Sequence, residues 1–534
     1  MTGKVLTEKF KSQNAIDFWN SLNLQRYYMV ASCVDNPNGD VVNCIADKNE
    51  FLRRVMFGNK ITRDDARFLF RKIPWESGIV YTQYDDQVDL TDKDYYVTIL
   101  TGEVDEAEYR VYKCILNNGG NPSSVSPSTV SFGDTDDGYF ATTDGYVWKY
   151  MFSVLPSEYT KYQTNAQLPY RPSTDHPPAN DGIYGMEIIE NSEVALSLFS
   201  QFNLGQCQII NVFQEQDGTY AARVQVPNTQ FIRTEANAYV GMYLEVNGTV
   251  YDITGSSKPT NTTDNVLILR TDTPINILSQ TKCFIKPKVV ITESNTGGIQ
   301  AICSGVLDAF GRLAGVFFNA HGSGYTYAKA KLVLPSSLQK FDGAVTLRPI
   351  ISPDGGHGAD PIIELKMSTI GVVSNFASTG ETEIPNTNTY TQVGLLKEPE
   401  FTEVDNQDPL YFDNREVFVV AGDITTSVKQ NDYLYQDIDP ELQGRVHQIE
   451  YDEDLNLTYV YVTDYNGATF NDYVIGTVFA KETPESETSV SFTINTIEDG
   501  AYVDSTGTLL HYVSFDPITR TANNVEKIKF IFDF

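Results

Sequence analysis

The sequence predicts a mainly β protein, built of two or more distorted antiparallel β-sandwich domains with a few short helices near the N-terminus. Aromatic residues make up 12% of the chain, with 32 Tyr and 29 Phe against 7 Met, a bias toward pleated, half-buried surfaces over helix bundles. From Ile79 onward short apolar-aromatic runs alternate with turn residues, and 37 Gly and 23 Pro supply the turns. At 534 residues the chain exceeds what one hydrophobic core organises, so two or three domains are expected.

The first element is a helix. After Asn14, the residues Ala15, Phe18, Trp19 and Leu22 follow at the spacing of one helix face, and Asp17 is placed to close a capping box. Tyr27 to Cys33 reads as a strand. Asp47 with Glu50 then starts a second helix bearing Phe51, Leu52, Val55 and Met56, which Gly58 stops. Thr62 with Asp65 starts a third, bearing Ala66, Leu69 and Phe70, so nearly all the helix is expected before Trp75.

Strands are then expected at Tyr95 to Leu100, Tyr109 to Leu116, Tyr146 to Val154, Cys207 to Val212, Ala221 to Val226, Met242 to Val246 and Val266 to Leu269. Asn118-Gly119-Gly120, Asp217-Gly218 and Asn247-Gly248 mark turns between them. Pro122 to Asp137, rich in Ser, Thr, Pro and Asp, reads as a long surface loop. Two stretches read as hairpin-based additions. In 192–349, Leu313 to Phe318 and Ala328 to Leu334 flank His321-Gly322-Ser323-Gly324-Tyr325. In 444–485, Thr458 to Val462 and Tyr473 to Phe479 flank Asn466-Gly467. The expected domains are a discontinuous one from 1–88 and 370–534, and a second over 89–369. At the end of the chain Ile528, Phe530, Phe532 and Phe534 fall on one side of an alternating strand, whose burial anchors it in a sheet.

Acidic residues outnumber basic ones by 70 to 39, a formal charge of −31, which opposes nucleic-acid binding. No apolar run is long enough for a membrane-spanning helix, and Met1 to Phe10 lacks the apolar core of a signal peptide. The six cysteines contain no C-x-x-C pair and read as small buried hydrophobes.

Motifs for catalysis are incomplete throughout. Phosphate loop, dinucleotide fingerprint, H-E-x-x-H and nucleophile elbow are all missing, and the five histidines are scattered singly. The most site-like stretch is Ser352 to Pro361, where Asp354, His357 and Asp360 would converge on an ion if its glycines did not simply serve a tight connection. Asp134, Asp136 and Asp137, and also Asp452, Asp454 and Asn456, have only part of a calcium-loop spacing. No catalytic residue, cofactor or metal is expected.

Asp144-Gly145-Tyr146-Val147-Trp148-Lys149-Tyr150-Met151-Phe152, followed by Leu155-Pro156, resembles a motif of the dimeric baseplate wedge subunit of T-even-type contractile-tailed phages, the gene product eight family. Further blocks resemble that family in the same order: Asp47 to Trp75, Tyr109 to Cys114, Tyr390 to Pro399, His511-Tyr512, Pro517-Ile518 and Glu526 to Phe534. The resemblance covers about 1–171 and 371–534, as in enlarged members from phages of cyanobacteria, and leaves the two additions without counterpart. It implies a homodimer of two distorted antiparallel sandwiches, one formed by both chain ends. Its partners would be other wedge proteins in a virion tail baseplate, assembled in the host cytoplasm and rearranged on host contact. The competing readings are a tail-fibre protein recognising host polysaccharide and a glycan-cleaving tail enzyme.

Overall fold

The computed structural model describes residues 7–34, 48–103, 106–129, 138–173, 181–190, 198–227, 232–259, 265–277, 280–293, 298–377, 390–402, 408–436, 442–464, 474–483, 485–515 and 525–534. Strands take 48% and helices 11% of the described residues, so the protein is mainly β with several antiparallel sheets and few short helices. The chain divides into two compact units. One comprises Met1–Arg71, Ser157–Arg171 and Met367–Phe534, the other Lys72–Pro156 and Pro172–Lys366.

In the first unit, a five-stranded sheet runs Tyr411–Asp413, Val55–Ile61, Tyr27–Val34, Tyr390–Lys397 and Thr508–Ser514 in spatial order. A four-stranded sheet runs Val525–Asp533, Thr369–Ala377, Ala66–Arg71 and Gln167–Tyr170. Tyr27 to Ala31 and Ala66 to Phe70 are buried without alternation, because both faces of these strands are covered. Ser157–Arg171 belongs here through its strand and through Glu158, whose carboxylate accepts two N–H bonds from buried Arg67 at 2.5 and 2.9 Å.

One expected helix is cut short and another is replaced by a strand. The helix after Asp47 is confined to Lys48–Arg53, and Val55, Met56 and Gly58 lie in a strand paired with Tyr27–Val34. Gly58 is there to let Phe412 approach, since a Cβ would lie 2.1 Å from its Cε1. The Thr62/Asp65 capping box forms, with the Thr62 N–H donating to Asp65 at 3.1 Å, but it closes only a 3-10 turn over Arg63–Asp65. Ala66, Leu69 and Phe70 then continue as a strand paired with Thr369–Ala377. Short apolar runs fit either periodicity, and ladders on both sides decided for strand.

The N-terminal helix, Glu8–Ser21, starts at Thr7, whose hydroxyl accepts the Phe10 N–H, so Asn14 and Asp17 lie inside it. Phe18 packs on Tyr27, Phe532 and Phe534 with ring centroids 5.5 to 5.7 Å apart. Among the described residues two further short α-helices, Pro156–Tyr162 and Pro361–Glu364, lie beyond Trp75, where almost no helix was expected.

A seven-stranded sheet completes this unit, in the order Val490–Thr493, Thr477–Lys481, Tyr433–Gln436, Leu442–Asp452, Leu457–Asp464, Glu416–Ala421 and Thr496–Glu498. The strands expected to form a hairpin about Asn466-Gly467 do not pair. Leu457–Asp464 lies between Leu442–Asp452 and Glu416–Ala421, while Thr477–Lys481 pairs with Tyr433–Gln436 and Val490–Thr493. Asn466, Gly467 and Tyr473 fall outside the described residues.

The second unit holds a four-stranded sheet in the order Tyr96–Thr101, Glu108–Asn117, Tyr146–Val154 and Tyr139–Ala141. Its larger sheet contains a ring. Cys207–Gln214, Tyr220–Gln225, Val266–Thr271, Thr249–Ser257, Met242–Val246 and Lys282–Glu293 pair in sequence, and the last pairs back on the first. This is a closed antiparallel barrel filled by Ile209, Val224, Leu244, Leu267 and their neighbours. Asn247 and Gly248 both have positive φ, 49° and 81°, as a tight hairpin turn needs.

Leu313–Ala320 pairs with Ile302–Leu307, and Lys329–Val333 pairs with Lys282–Glu293 and Val345–Ile351. The segment His321 to Tyr325 therefore links strands that are not partners, against expectation. It is fixed instead by Tyr325, buried, whose hydroxyl oxygen accepts the Ala301 N–H at 2.7 Å.

Candidate functional site

The expected motif residues form one hairpin in the second unit. Thr142 to Tyr146 make its turn, where Gly145 has φ +86° and a Cβ would lie 2.8 Å from Asn118 Cγ, so a side chain is disfavoured twice. Asp144 organises the surroundings: its carboxylate accepts from the Ser123 hydroxyl at 3.1 Å and from the Ser124 and Val125 N–H groups at 2.7 and 3.0 Å. Burial would raise this carboxyl, but the Thr142 hydroxyl and three backbone N–H groups outweigh it and bring it down to about 2. The start of the expected surface loop is thus pinned; residues 130–137, with the partial calcium spacing of Asp134, Asp136 and Asp137, lie outside the described residues. Trp148 is fully buried, stacked on Tyr146 at 5.5 Å and edge-on to Tyr81 at 5.7 Å, while Val147 points to the other side of the strand.

That other side carries the most unusual chemistry in the chain. Lys113 and Lys149 are register partners on adjacent strands and both are fully buried. The Lys113 Nζ donates to Glu364 Oε2 at 2.6 Å and sits 4.1 Å from the centre of the Tyr84 ring. The Lys149 Nζ sits 4.7 Å from the centre of the Tyr139 ring. Glu364 Oε1 accepts the Gly358 N–H at 2.7 Å, and Asp360 caps the short helix Pro361–Glu364 by accepting from Ile362 and Ile363. Gly355, Gly356 and Gly358 all have positive φ, so the glycines serve a tight wrap that delivers Glu364 to Lys113.

His357 completes the cluster. Its ring is edge-on to Tyr84 at 4.6 Å, and its Nδ1, which has no hydrogen-bond partner, lies 3.7 Å from Glu364 Oε2. Burial first, and then the Lys113 charge, push this imidazole down to about 4, so it is neutral near pH 7. Burial opposes ionisation of Glu364, yet Lys113 and His357 bring it down to about 2. Burial also pulls Lys113 below the usual lysine value, against the attraction of Glu364. Asp354 and Asp360 are exposed and do not converge with His357 on an ion. Among the described residues no group of three His, Cys, Asp or Glu side chains is placed to hold a metal.

The four groups are sealed from solvent. Such a cluster clamps the wrap 353–366 to the sheet and fixes its register; it presents no reacting atom to a substrate. The signal in the sequence was a lysine at the centre of each of two apolar strands, Tyr109 to Leu116 and Tyr146 to Val154. A lysine is rarely buried there without a partner, and the partner of Lys113, Glu364, is far away along the chain.

A second buried polar cluster lies in the first unit. Arg415 donates to Asp413 with Nε and a terminal nitrogen, at 3.0 and 2.6 Å, and to Gln448 Oε1 at 2.7 Å. Its other contact, 3.2 Å to His447 Nδ1, requires that nitrogen to accept, so the proton sits on Nε2. Burial and then Arg415 and Arg445 hold His447 well below the ordinary histidine value. Asp452 closes a turn by accepting from the Asp454 and Leu455 N–H groups, and Asn456 has φ 53°; these are hairpin residues.

The C-terminal strand pairs along its length with Thr369–Ala377 of the same chain. Phe530 is buried, and Ile528, Phe532 and Phe534 are half-buried on its face. No helix among the described residues is long and apolar enough to cross a membrane. The chain matches no protein-family model and no curated protein.

Proposed function

We propose that the chain is a structural subunit of a contractile phage tail, acting in a baseplate wedge as a homodimer that binds other wedge proteins and rearranges with them on host contact. The observation that carries this reading is the run of blocks resembling that family in one order, with Asp144 to Phe152 as the longest. Two features support it. The chain ends combine in one compact unit that the second unit interrupts, the arrangement the resemblance implies. The unusual buried ionisable groups are arranged as clamps, which suits a part that bears load between neighbours.

The test is reconstitution. The purified chain, mixed with candidate wedge proteins of the same phage, is expected to run as a dimer alone and as a stoichiometric complex with at least one of them by light scattering. A monomer that joins none of them refutes the reading, as does release of reducing sugars from host envelope that one Asp or Glu substitution abolishes.

A further inference from the structure

The ring of the barrel has one narrow seam. Between Cys207–Gln214 and Lys282–Glu293 the ladder pairs Cys207 with Cys283 and Gln208 with Lys282, and it ends where Ile209 donates its N–H to the Thr281 carbonyl at 2.8 Å and accepts the Gln280 N–H at 2.7 Å. Tyr220–Gln225 by contrast pairs with Val266–Thr271 along its whole length. At the point where the barrel holds least backbone pairing, two cysteines face each other.

We propose that Cys207 and Cys283 are a modification site: a reversible disulfide that staples the barrel seam when the protein meets a peroxide. Both thiols are free and buried, and both belong to the barrel core, so they lie on the same, inward side of the seam. Directly opposed residues of an antiparallel pair have Cα atoms about 4.5–5.5 Å apart. A disulfide spans Cα separations of about 4.4–6.8 Å, so an opposed pair lies within its reach. Cys303 faces Val289 and Phe318 across its ladders, and Cys114 faces Trp148, so neither has a cysteine opposite it.

The chemistry is a two-electron oxidation. One thiolate attacks hydrogen peroxide, giving a sulfenic acid and water once the thiol proton is counted. The second thiol then displaces that hydroxyl as a second water, and the S–S bond forms. Burial holds both thiols up at about 12, which keeps the thiolate scarce while the seam is shut. The reaction therefore proceeds through brief opening of this short ladder, and its product prevents that opening.

The full chain, treated with hydrogen peroxide in dilute urea below its unfolding transition, should lose two thiols and two hydrogens in mass. Digestion should release one cross-linked peptide joining Cys207 to Cys283, and dithiothreitol should separate it. The melting temperature of the oxidised form should rise by about 5–10 °C. Cys207→Ala and Cys283→Ala should each abolish the cross-link. Sulfinic or sulfonic acid at either residue without a cross-link overturns the proposal, as does a bond through any other cysteine. So does a wild-type chain that stays reduced at a peroxide dose that consumes the thiols of the denatured protein; this comparison needs no variant to fold.

Discussion

Replacing Lys113 with Met leaves the Glu364 carboxylate buried beside an alkyl chain, with only the Gly358 N–H as a strong donor. At the 2.6 Å separation of Nζ and Oε2, the lost attraction is about 6 kcal/mol for an effective dielectric of about 20. Lysine desolvation, which the substitution relieves, offsets part of that, and a net loss of about 3–5 kcal/mol is expected. Unfolding in urea, followed by fluorescence of Trp148 close to the site, measures it. The pH dependence makes the test specific. In the wild type, Glu364 is lowered from 4.5 to about 2, so its contribution is complete above pH 4.5 and is lost as pH falls toward 2. His357 is lowered from 6.5 to about 4, and the unfolded chain takes up its proton first, so stability also declines as pH falls from 6.5 to 4. In Lys113→Met the carboxyl is raised instead, so the deficit at pH 7 should shrink toward pH 5 as Glu364 takes up a proton. Removing both charges, in Lys113→Met with Glu364→Leu, should recover most of the loss. A single variant within 1 kcal/mol of wild type, a deficit that does not change with pH, or a double variant as poor as the sum of the singles would refute the clamp.

Three further outcomes are expected. Asp144→Ala should cost about 1–3 kcal/mol and speed hydrogen exchange at the Ser124 and Val125 amides, which lose their acceptor; unchanged exchange there would show that the loop holds without it. Gly58→Ala should destabilise the first unit by about 1–3 kcal/mol, because its methyl meets the Phe412 ring, and Gly58→Ala with Phe412→Leu should restore part of the loss. Deleting Phe530 to Phe534 should lower the melting temperature by several degrees and expose Phe18 on the N-terminal helix, detectable as dye binding; an unchanged melting curve would place that strand outside the cooperative fold.

The strands were legible where side-chain pattern and turn chemistry agreed. Met242–Val246 and Tyr146–Val154 have the bounds their sequences predict, each beside a glycine whose positive φ sets the turn. Legibility failed where a run is buried on both faces. Val55 to Ile61 and Ala66 to Arg71 carry apolar residues at spacings that fit a helix as well as a strand, and only their neighbours supply the ladders that decide. The Thr62/Asp65 box is a real local signal that reports one turn, and nothing in it reports how long a helix follows.

Composition and alternation by themselves determined the class of this protein. A chain so rich in Tyr and Phe, so punctuated by Gly and Pro, and ending on alternating aromatics satisfies its backbone in antiparallel ladders, because those preferences act within a few residues. Pairing between segments distant along the chain was left to the tertiary structure: Glu364 to Lys113, Cys207 to Cys283, and the closing of six strands into a barrel. A buried charge or a barrel seam is stabilised by its partner, and the local sequence on either side carries no record of which distant segment that partner is.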